Sequence, residues 1–435
     1  MKKNIGFIST RFAGTDGVTL EASKWAQVFR SMGHNCYWLA GQLDKDRDKS
    51  MLVPEAFFQD ATNIWINSLI FGHKRRDHTV TDTIQAVKLR LKEGIREFIR
   101  RFDIDLMVPQ NALTIPMHVP LGMAITEIIA ETQIPTIAHH HDFYWERTRF
   151  IVNAVSDYLR MAFPPNLPGM EHVVINSAAQ EELALRTGCS SIIIPNILDF
   201  EHPPNASRST RSAIRSELGF EEGDIVFLQP TRIVQRKGIE HALGLVRELN
   251  DPRCKLLISH EVGDEGFEYA EWLRHEAHEM GVDLRLLNTR MRDPWNDAHV
   301  EQPARSLLDI YPCADFVTYP SLYEGFGNAF LEAVYFHKPV LINRYAIFVR
   351  DIEPKGFDLI AMDGFLNEKT VDQVRQVLQS PQRMHRMVQH NFEIASRHYS
   401  YAVLRRWLNT LMVNFFGAES DSVLSDSSSR SGYSK

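Results

Sequence analysis

The stretch Phe316-Val317-Thr318-Tyr319-Pro320-Ser321-Leu322-Tyr323-Glu324-Gly325-Phe326-Gly327-Asn328-Ala329-Phe330-Leu331-Glu332-Ala333 decides the fold. Its first four residues are β-branched or aromatic and read as a buried strand, and after a glycine-bearing turn the apolar spacing becomes helical. A strand that turns directly into a helix is half of a βαβ unit, and such units build parallel sheets. The turn leaves unpaired backbone N–H groups at the helix N-terminus, where the positive dipole end favours an anion or sugar hydroxyls. Gly325 and Gly327 permit close backbone approach, while Glu324 and Glu332 are carboxylates suited to accepting hydrogen bonds from vicinal hydroxyls.

The same rhythm extends in both directions. Strands are expected at Ile225–Gln229, Lys255–Ser259, Asp283–Leu287, Phe316–Tyr319 and Pro339–Ile342. Before them, Ile5–Ile8, Cys36–Ala40, Leu106–Pro109, Thr136–His139, Val173–Asn176 and Ser191–Ile194 read as strands, with helices at Thr19–Met32, Ile115–Glu131 and Ala179–Thr187. Asp199–Ser212 is polar, carries two prolines and lacks an apolar period, so it is the expected linker. The chain therefore reads as two α/β domains in tandem, residues 1–198 and 199–398. Tyr399–Phe416 is a long amphipathic helix, and the Ser-rich segment 417–435 is expected to be a disordered tail.

Composition agrees with a folded globular chain: of 435 residues 44% are hydrophobic, 24% charged and 10% aromatic. The 48 basic and 55 acidic residues leave a formal charge of −7, which argues against nucleic acid as the main partner. An anionic ligand must then be met by local cations. Cys36, Cys189, Cys254 and Cys313 lie far apart, a pattern of reduced thiols. The start reads as a first strand rather than a signal peptide, and no apolar run is long enough to span a membrane, so a cytoplasmic location is expected.

A second chemical signal is Gln229-Pro230-Thr231-Arg232-Ile233-Val234-Gln235-Arg236-Lys237-Gly238, again after a strand. Arg232 and Lys237 can converge on one phosphate, the arginine forking two oxygens and the lysine acting as a point charge. The run His139-His140-His141-Asp142 looks like a metal site, but successive residues at a strand end point to opposite faces and cannot all face one ion. Ile84–Phe102 is basic and amphipathic; its apolar stripe is expected in the domain core with a solvated basic face, the other reading being an anionic membrane surface.

Arg232-x4-Lys237 followed by Glu324-x7-Glu332, within a tandem α/β chain, resembles the retaining family-four glycosyltransferases of the GT-B fold. The resemblance extends to the N-terminal segment STRFAGTDGVTLEASKWAQVFRSMGHNCYWLA, the inter-domain stretch IIIPNILDF, and the final helix 399–416, which in the family crosses back to complete the first domain. It implies two Rossmann-like domains facing across a cleft: 1–198 for the acceptor and 199–398 for a nucleotide-sugar donor. By the same resemblance, Arg232 and Lys237 hold the donor's diphosphate and Glu332 its ribose. Glu324 meets the hexose, and the backbone of Gly325, Phe326, Gly327 and Asn328 holds hydroxyls and phosphates. Gly17 matches the glycine that approaches the β-phosphate, although the preceding residue is Asp16 where a second glycine is frequent. His141 matches the histidine presented to the donor sugar, with His140 the near alternative. His141, Arg232, Lys237 and Glu324 are thus the expected catalytic residues.

The family implies retention of configuration and no metal or other cofactor, a UDP- or GDP-linked hexose being the substrate. No Asp-x-Asp pair stands in a plausible position for a metal. For the acceptor, the loops Gly14–Val18, Gln110–Thr114 and Asp142–Arg149 are expected to form the pocket, with Asp16, His140, Tyr144, Arg147 and Arg149 as candidate contacts. Aromatic faces beside two arginines suit a small soluble anionic carbohydrate, such as a sugar acid or sugar phosphate. The alternatives are a lipid-linked acceptor at a membrane surface, a sugar-nucleotide epimerase, a phosphorylase, or a non-catalytic nucleotide-sugar binder. The sequence carries no signature of oligomeric state.

Overall fold

Two all-parallel sheets account for the strands of the computed structural model, which describes residues 2–204, 208–260, 267–287 and 307–417. The tail expected to be disordered lies, beyond Gly417, outside the described residues, as do residues 205–207 of the expected linker. The first sheet holds β1 (Asn4–Ile8), β2 (Asn35–Ala40), β3 (Ser50–Leu52), β4 (Leu106–Pro109), β5 (Thr136–His140), β6 (Met170–Val174) and β7 (Ile192–Ile193), in the order β3-β2-β1-β4-β5-β6-β7. The second holds β8 (Ile225–Gln229), β9 (Cys254–Ile258), β10 (Asp283–Leu286), β11 (Phe316–Tyr319), β12 (Val340–Asn343) and β13 (Ile360–Met362), ordered β10-β9-β8-β11-β12-β13. Helices cover both faces of each sheet, so central strands such as β4, β5 and β11 are buried throughout and read as continuous apolar runs.

The strand order positions the site. In each sheet the direction of winding reverses once, between β1 and β4 and between β8 and β11, where Ile5 pairs with Leu106 and Phe227 with Phe316. Ligands of open α/β sheets bind outside the carboxyl ends of strands at such a reversal. The four loops leaving these strands are those that carry Gly17, Gln110, Arg232 and Glu324.

The chain passes between the lobes twice. Leu198 donates its amide to the carbonyl of Tyr399 at 2.9 Å, so the outgoing and returning crossings lie side by side. The returning helix Tyr401–Phe416 buries Tyr401, Leu404, Leu408 and Leu411 with Trp25 and Phe29 of the helix Gly17–Ser31. Tyr401 also donates its hydroxyl to Gln27 at 2.9 Å.

Three local differences from the sequence reading have physical causes. The last five residues of the expected linker belong to the helix Arg208–Glu217, whose single deep apolar anchor, Ile214, is too sparse to register as a period. Arg215 compensates by donating to the carbonyls of Cys313 and Asp224 and pairing with Asp315. The expected helix from Ile115 starts at Val119, because His118 caps it through an Nδ1 that accepts the amide of Leu121. The basic segment lies within a helix, His78–Phe102, that packs on Val119–Thr132, and Lys88 and Lys92 are sunk in that contact. Both pair with Glu127 at 2.6 Å, and Lys92 and Arg96 also reach Glu131. The four cysteines are buried free thiols.

Candidate active site

The donor-side loops are built to meet each other. After β8, Gln229 donates to Thr231 and accepts from Thr318 of β11, both at 2.8 Å, so the two strand ends share one buried polar network. Gly238 then closes the turn with a positive φ of 60°, and a Cβ there would stand 2.5 Å from the carbonyl oxygen of Pro320. Only glycine allows this approach, and its consequence is that Lys237 and Glu324, 87 residues apart, form a buried ion pair. Burial alone would raise the Glu324 pKa. The Lys237 charge and hydrogen bond and the charge of Arg236 outweigh it and hold the carboxyl below the usual range. Arg236, which the sequence reading includes in the loop but gives no role, also lies 3.6 Å from Glu324 and donates to the carbonyl of Tyr323. Arg232 is exposed, and its charge acts on Lys237 and on the half-buried His260.

The turn Gly325–Asn328 is clamped. Gly327 has φ 121°, and a Cβ on it would lie 2.4 Å from the hydroxyl of Tyr345, which donates to the carbonyl of Phe326 at 2.6 Å. The helix Asn328–Tyr335 follows without a side-chain cap, so its first N–H groups keep their capacity for a ligand. One turn on, Glu332 accepts the hydroxyl of Tyr311 at 2.8 Å through Oε2. Burial raises the Glu332 pKa, against the opposing effects of Tyr311 and of Lys24 from the other lobe.

Across the cleft, Gly17 begins the helix Gly17–Ser31, and a Cβ there would lie 3.9 Å from Nδ2 of Asn328. Asp16 replaces loop freedom with a cap: Oδ1 accepts the amides of Val18 and Thr19, and Oδ2 takes the Thr19 hydroxyl at 2.7 Å and Arg11 at 3.0 Å. Further along the helix, Lys24 pairs at 3.1 Å with the fully buried Glu21. At the end of β5 the strand alternation separates the histidines. His139 stacks on Trp25 with ring centres 4.2 Å apart and lies 2.9 Å from Oε1 of Gln110. His140 points the other way, 1% exposed, its Nε2 2.9 Å from Nδ1 of His172. His141 reaches the cleft, its carbonyl oxygen 3.8 Å from where a Cβ on Gly325 would be. Asn111, with φ 55°, accepts the His141 amide at 3.0 Å and donates to Asp142, fixing this turn. Burial lowers the His141 pKa to about 4 against Asp142 and Asp16, with Lys24 adding to the fall, so the imidazole is neutral at pH 7.

The structure thus brings Gly17, His141, Arg232, Lys237, Glu324, Glu332 and the turn Gly325–Asn328 to the facing loop ends. The acceptor candidates divide. His140 is sealed in the core, away from any ligand, because its strand position faces inward. Arg147 is held by Asp142 through Nε at 2.6 Å and Nη2. Arg149 lies over the ring of Phe150, and Tyr144 is half-buried against Trp145. Glu146 accepts the hydroxyl of Tyr323 at 3.1 Å, bridging the lobes at the cleft mouth. Asp199, Glu201 and His202 form the one grouping of metal-ligand spacing among the described residues, on the exposed crossing stretch.

Residues 210–393 match the family described as glycosyl transferases group 1. Over 418 residues, 88% of this chain and 95% of the relative, the sequence is 32% identical to the mannosylglucosylglycerate synthase of Petrotoga mobilis. The chain is a group 1 glycosyltransferase. The mannosylglucosylglycerate synthase of Thermotoga maritima is likewise 32% identical to this glycosyltransferase over 431 residues, 91% of this chain and 96% of the relative. A Rickettsia africae glycosyltransferase superposes with a TM-score of 0.70 at 13% identity, covering 95% of this chain and 98% of that one. Anabaena HepE, solved in complex with UDP and glucose, does so with 0.65 at 14% identity, covering 95% and 100%. The group 1 glycosyltransferase therefore has the GT-B fold expected from its sequence. None of its described helices is long and apolar enough to cross a membrane.

Proposed function

We propose that this glycosyltransferase moves a hexose from a nucleoside-diphosphate sugar, with retention and without a metal, to a hydroxyl of a small soluble acceptor bearing a carboxylate. The observation that carries the reading is the buried Lys237–Glu324 pair at the foot of a clamped, uncapped helix N-terminus, facing His141 of the other lobe. Transfer leaves an oxocarbenium-like carbon and a departing phosphate, so stabilising the leaving group's charge is the main service required. Arg232, Lys237 and the first amides of the helix Asn328–Tyr335 supply it, which is the charge compensation a divalent cation would otherwise give. Glu324, ionised and next to the hexose, accepts its hydroxyls and holds Lys237 in place. Neutral His141 serves as a hydrogen-bonding partner of the sugar rather than as a proton donor. Glu332 keeps Oε1 without a hydrogen bond among the described residues and takes the ribose hydroxyls. Retention follows if the departing phosphate itself receives the acceptor's proton on the same face.

For the acceptor, both full-length relatives are named for a mannosyl group carried on glucosylglycerate, and a glycerate end supplies a carboxylate. On this reading Tyr144 offers an aromatic face, and Arg149, Arg147 and Arg11, the last paired with Asp16, are the cations available to a carboxylate. A lipid-linked acceptor is disfavoured by the pairing of Lys88, Lys92 and Arg96, half of the six basic residues in the segment 84–102, with Glu127 and Glu131. The test is nucleoside diphosphate release from a panel of UDP- and GDP-hexoses, with and without glucosylglycerate, each with a chelator arm and an anomer-resolved product. Acceptor-stimulated, chelator-insensitive release giving the donor's anomer is expected. Release that glucosylglycerate does not stimulate overturns the acceptor reading, and no release from any hexose overturns the donor reading.

A further inference from the structure

Two asparagines of the first lobe, neither given a role by the sequence motifs, reach the two ends of the turn Gly325–Asn328. Asn176, 6% exposed, caps the helix Ser177–Thr187 by accepting the amide of Ala179 at 2.7 Å, and with Nδ2 it donates to the carbonyl of Gly325 at 2.7 Å. Asn196, 5% exposed, donates to Oδ1 of Asn328 at 2.6 Å from the stretch that crosses between lobes. The same helix start is seated on the second lobe by Ser177, whose amide donates to Asp351 at 2.8 Å.

The peptide unit makes the first of these contacts directional. A trans peptide is planar, with its C=O and N–H pointing to opposite sides, so holding the Gly325 oxygen fixes where the Phe326 N–H points. The next unit is held in the same way from the second lobe, where Tyr345 grips the Phe326 oxygen and thereby fixes the Gly327 N–H. Two consecutive amides of the turn are thus oriented by two different lobes. One is always in place; the other is in place only when the lobes meet.

We propose that Asn176 is a positioning residue for transfer: by gripping Gly325 across the cleft it aims the Phe326 N–H at the donor, so that lobe closure completes the anion- and hydroxyl-binding turn. Asn196 does the equivalent for the Asn328 side chain. The proposal rests on the donor-site reading above. It also explains why the amide is an asparagine, since both of its polar atoms are used, one for the cap and one for the cleft.

The test exploits that division. Asn176→Asp and Asn176→Ser keep a cap acceptor, both residues being good N-caps, but remove the donated N–H. Each is expected to leave the thermal midpoint close to that of the parent while lowering kcat at least tenfold, with a smaller change in donor KM. A Tyr345→Phe variant completes a cycle: the two grips act on adjacent peptides, so the double variant is expected to be non-additive in kcat. Both Asn176 variants within twofold of the parent kcat, or loss of kcat only in step with loss of thermal stability, would overturn the proposal. If the variants fail to fold, Asn196→Ala must lower kcat by the same criterion, and near-parent turnover there also overturns it. Lys237→Ala separates the two readings, because full activity in that variant removes the donor site itself, whereas a crippled Lys237→Ala beside unaffected Asn176 variants removes only this proposal.

Discussion

Lys237 and Glu324 each gain their role from the other. A lysine that is 8% exposed would be costly unless its charge were matched, and a carboxylate at the same depth would tend to protonate. Their pairing keeps both charged at a place where a diphosphate is expected, and removing either leaves the partner buried without its nearest counter-charge. Lys237→Ala and Glu324→Ala are each expected to lower turnover by at least about tenfold, or roughly 1.4 kcal/mol of transition-state stabilisation, in a donor-saturated assay. Near-parent turnover in both would contradict the assignment. These two residues were legible in the sequence because each follows a strand directly and sits at a fixed spacing from a second charged residue. Asn176, Tyr311 and Tyr345 were not, since their partners stand up to 149 residues away and no local pattern marks them, and Asn196 was legible only as part of the stretch IIIPNILDF, without a role. His140 shows the converse: its neighbours suggest a ligand contact, and only the two-residue alternation of β5 assigns it to the core.

At the scale of elements, the end of β5 and its surroundings form a store of neutral imidazoles. Burial lowers the pKa of His118, His141 and His172 to about 4, and of His139 and His140 well below the ordinary histidine value. In the unfolded chain these rings titrate near 6.5, so between there and pH 4 the unfolded state binds more protons. Stability is therefore full above about pH 6.5 and is lost as the pH falls toward 4. Each ring with a pKa near 4 contributes roughly 2 kcal/mol of loss between pH 7 and pH 5. Thermal unfolding is expected to show a clear drop in midpoint over that interval, and an unchanged midpoint would contradict the burial of these rings.

The helix His78–Phe102 makes a second element-scale prediction. With Lys88 and Lys92 sunk in carboxylate pairs, flotation with anionic liposomes at low salt is expected to leave the protein unbound, and co-flotation would restore the membrane-surface reading. The apolar stripe of this helix was legible from its period. The neutralisation of its basic face was not, because Glu127 and Glu131 belong to another helix with its own apolar run. Strand positions were read to within a few residues, whereas the short edge strands β3 and β13 escaped notice. Three-residue strands carry too little alternation to register.

At the scale of the whole molecule, two sheets each reverse their winding once, and the two reversals face each other. The tandem α/β rhythm contains the first fact, and the second depends on the paired crossings at Leu198 and Tyr399 and on the returning helix that is packed against the first lobe. The cleft is consequently lined by loops from both halves of the chain, with bonds across it from Asn176, Asn196 and Glu146. Closing such a cleft excludes water from a reaction whose wasteful alternative is hydrolysis. The most direct test is a crystal structure of the enzyme with an intact nucleoside-diphosphate hexose. The diphosphate oxygens are expected within about 3 Å of Lys237 and Arg232, with the hexose between Glu324 and His141. A donor bound with its diphosphate remote from those two cations, or outside the space between the lobes, would contradict the account.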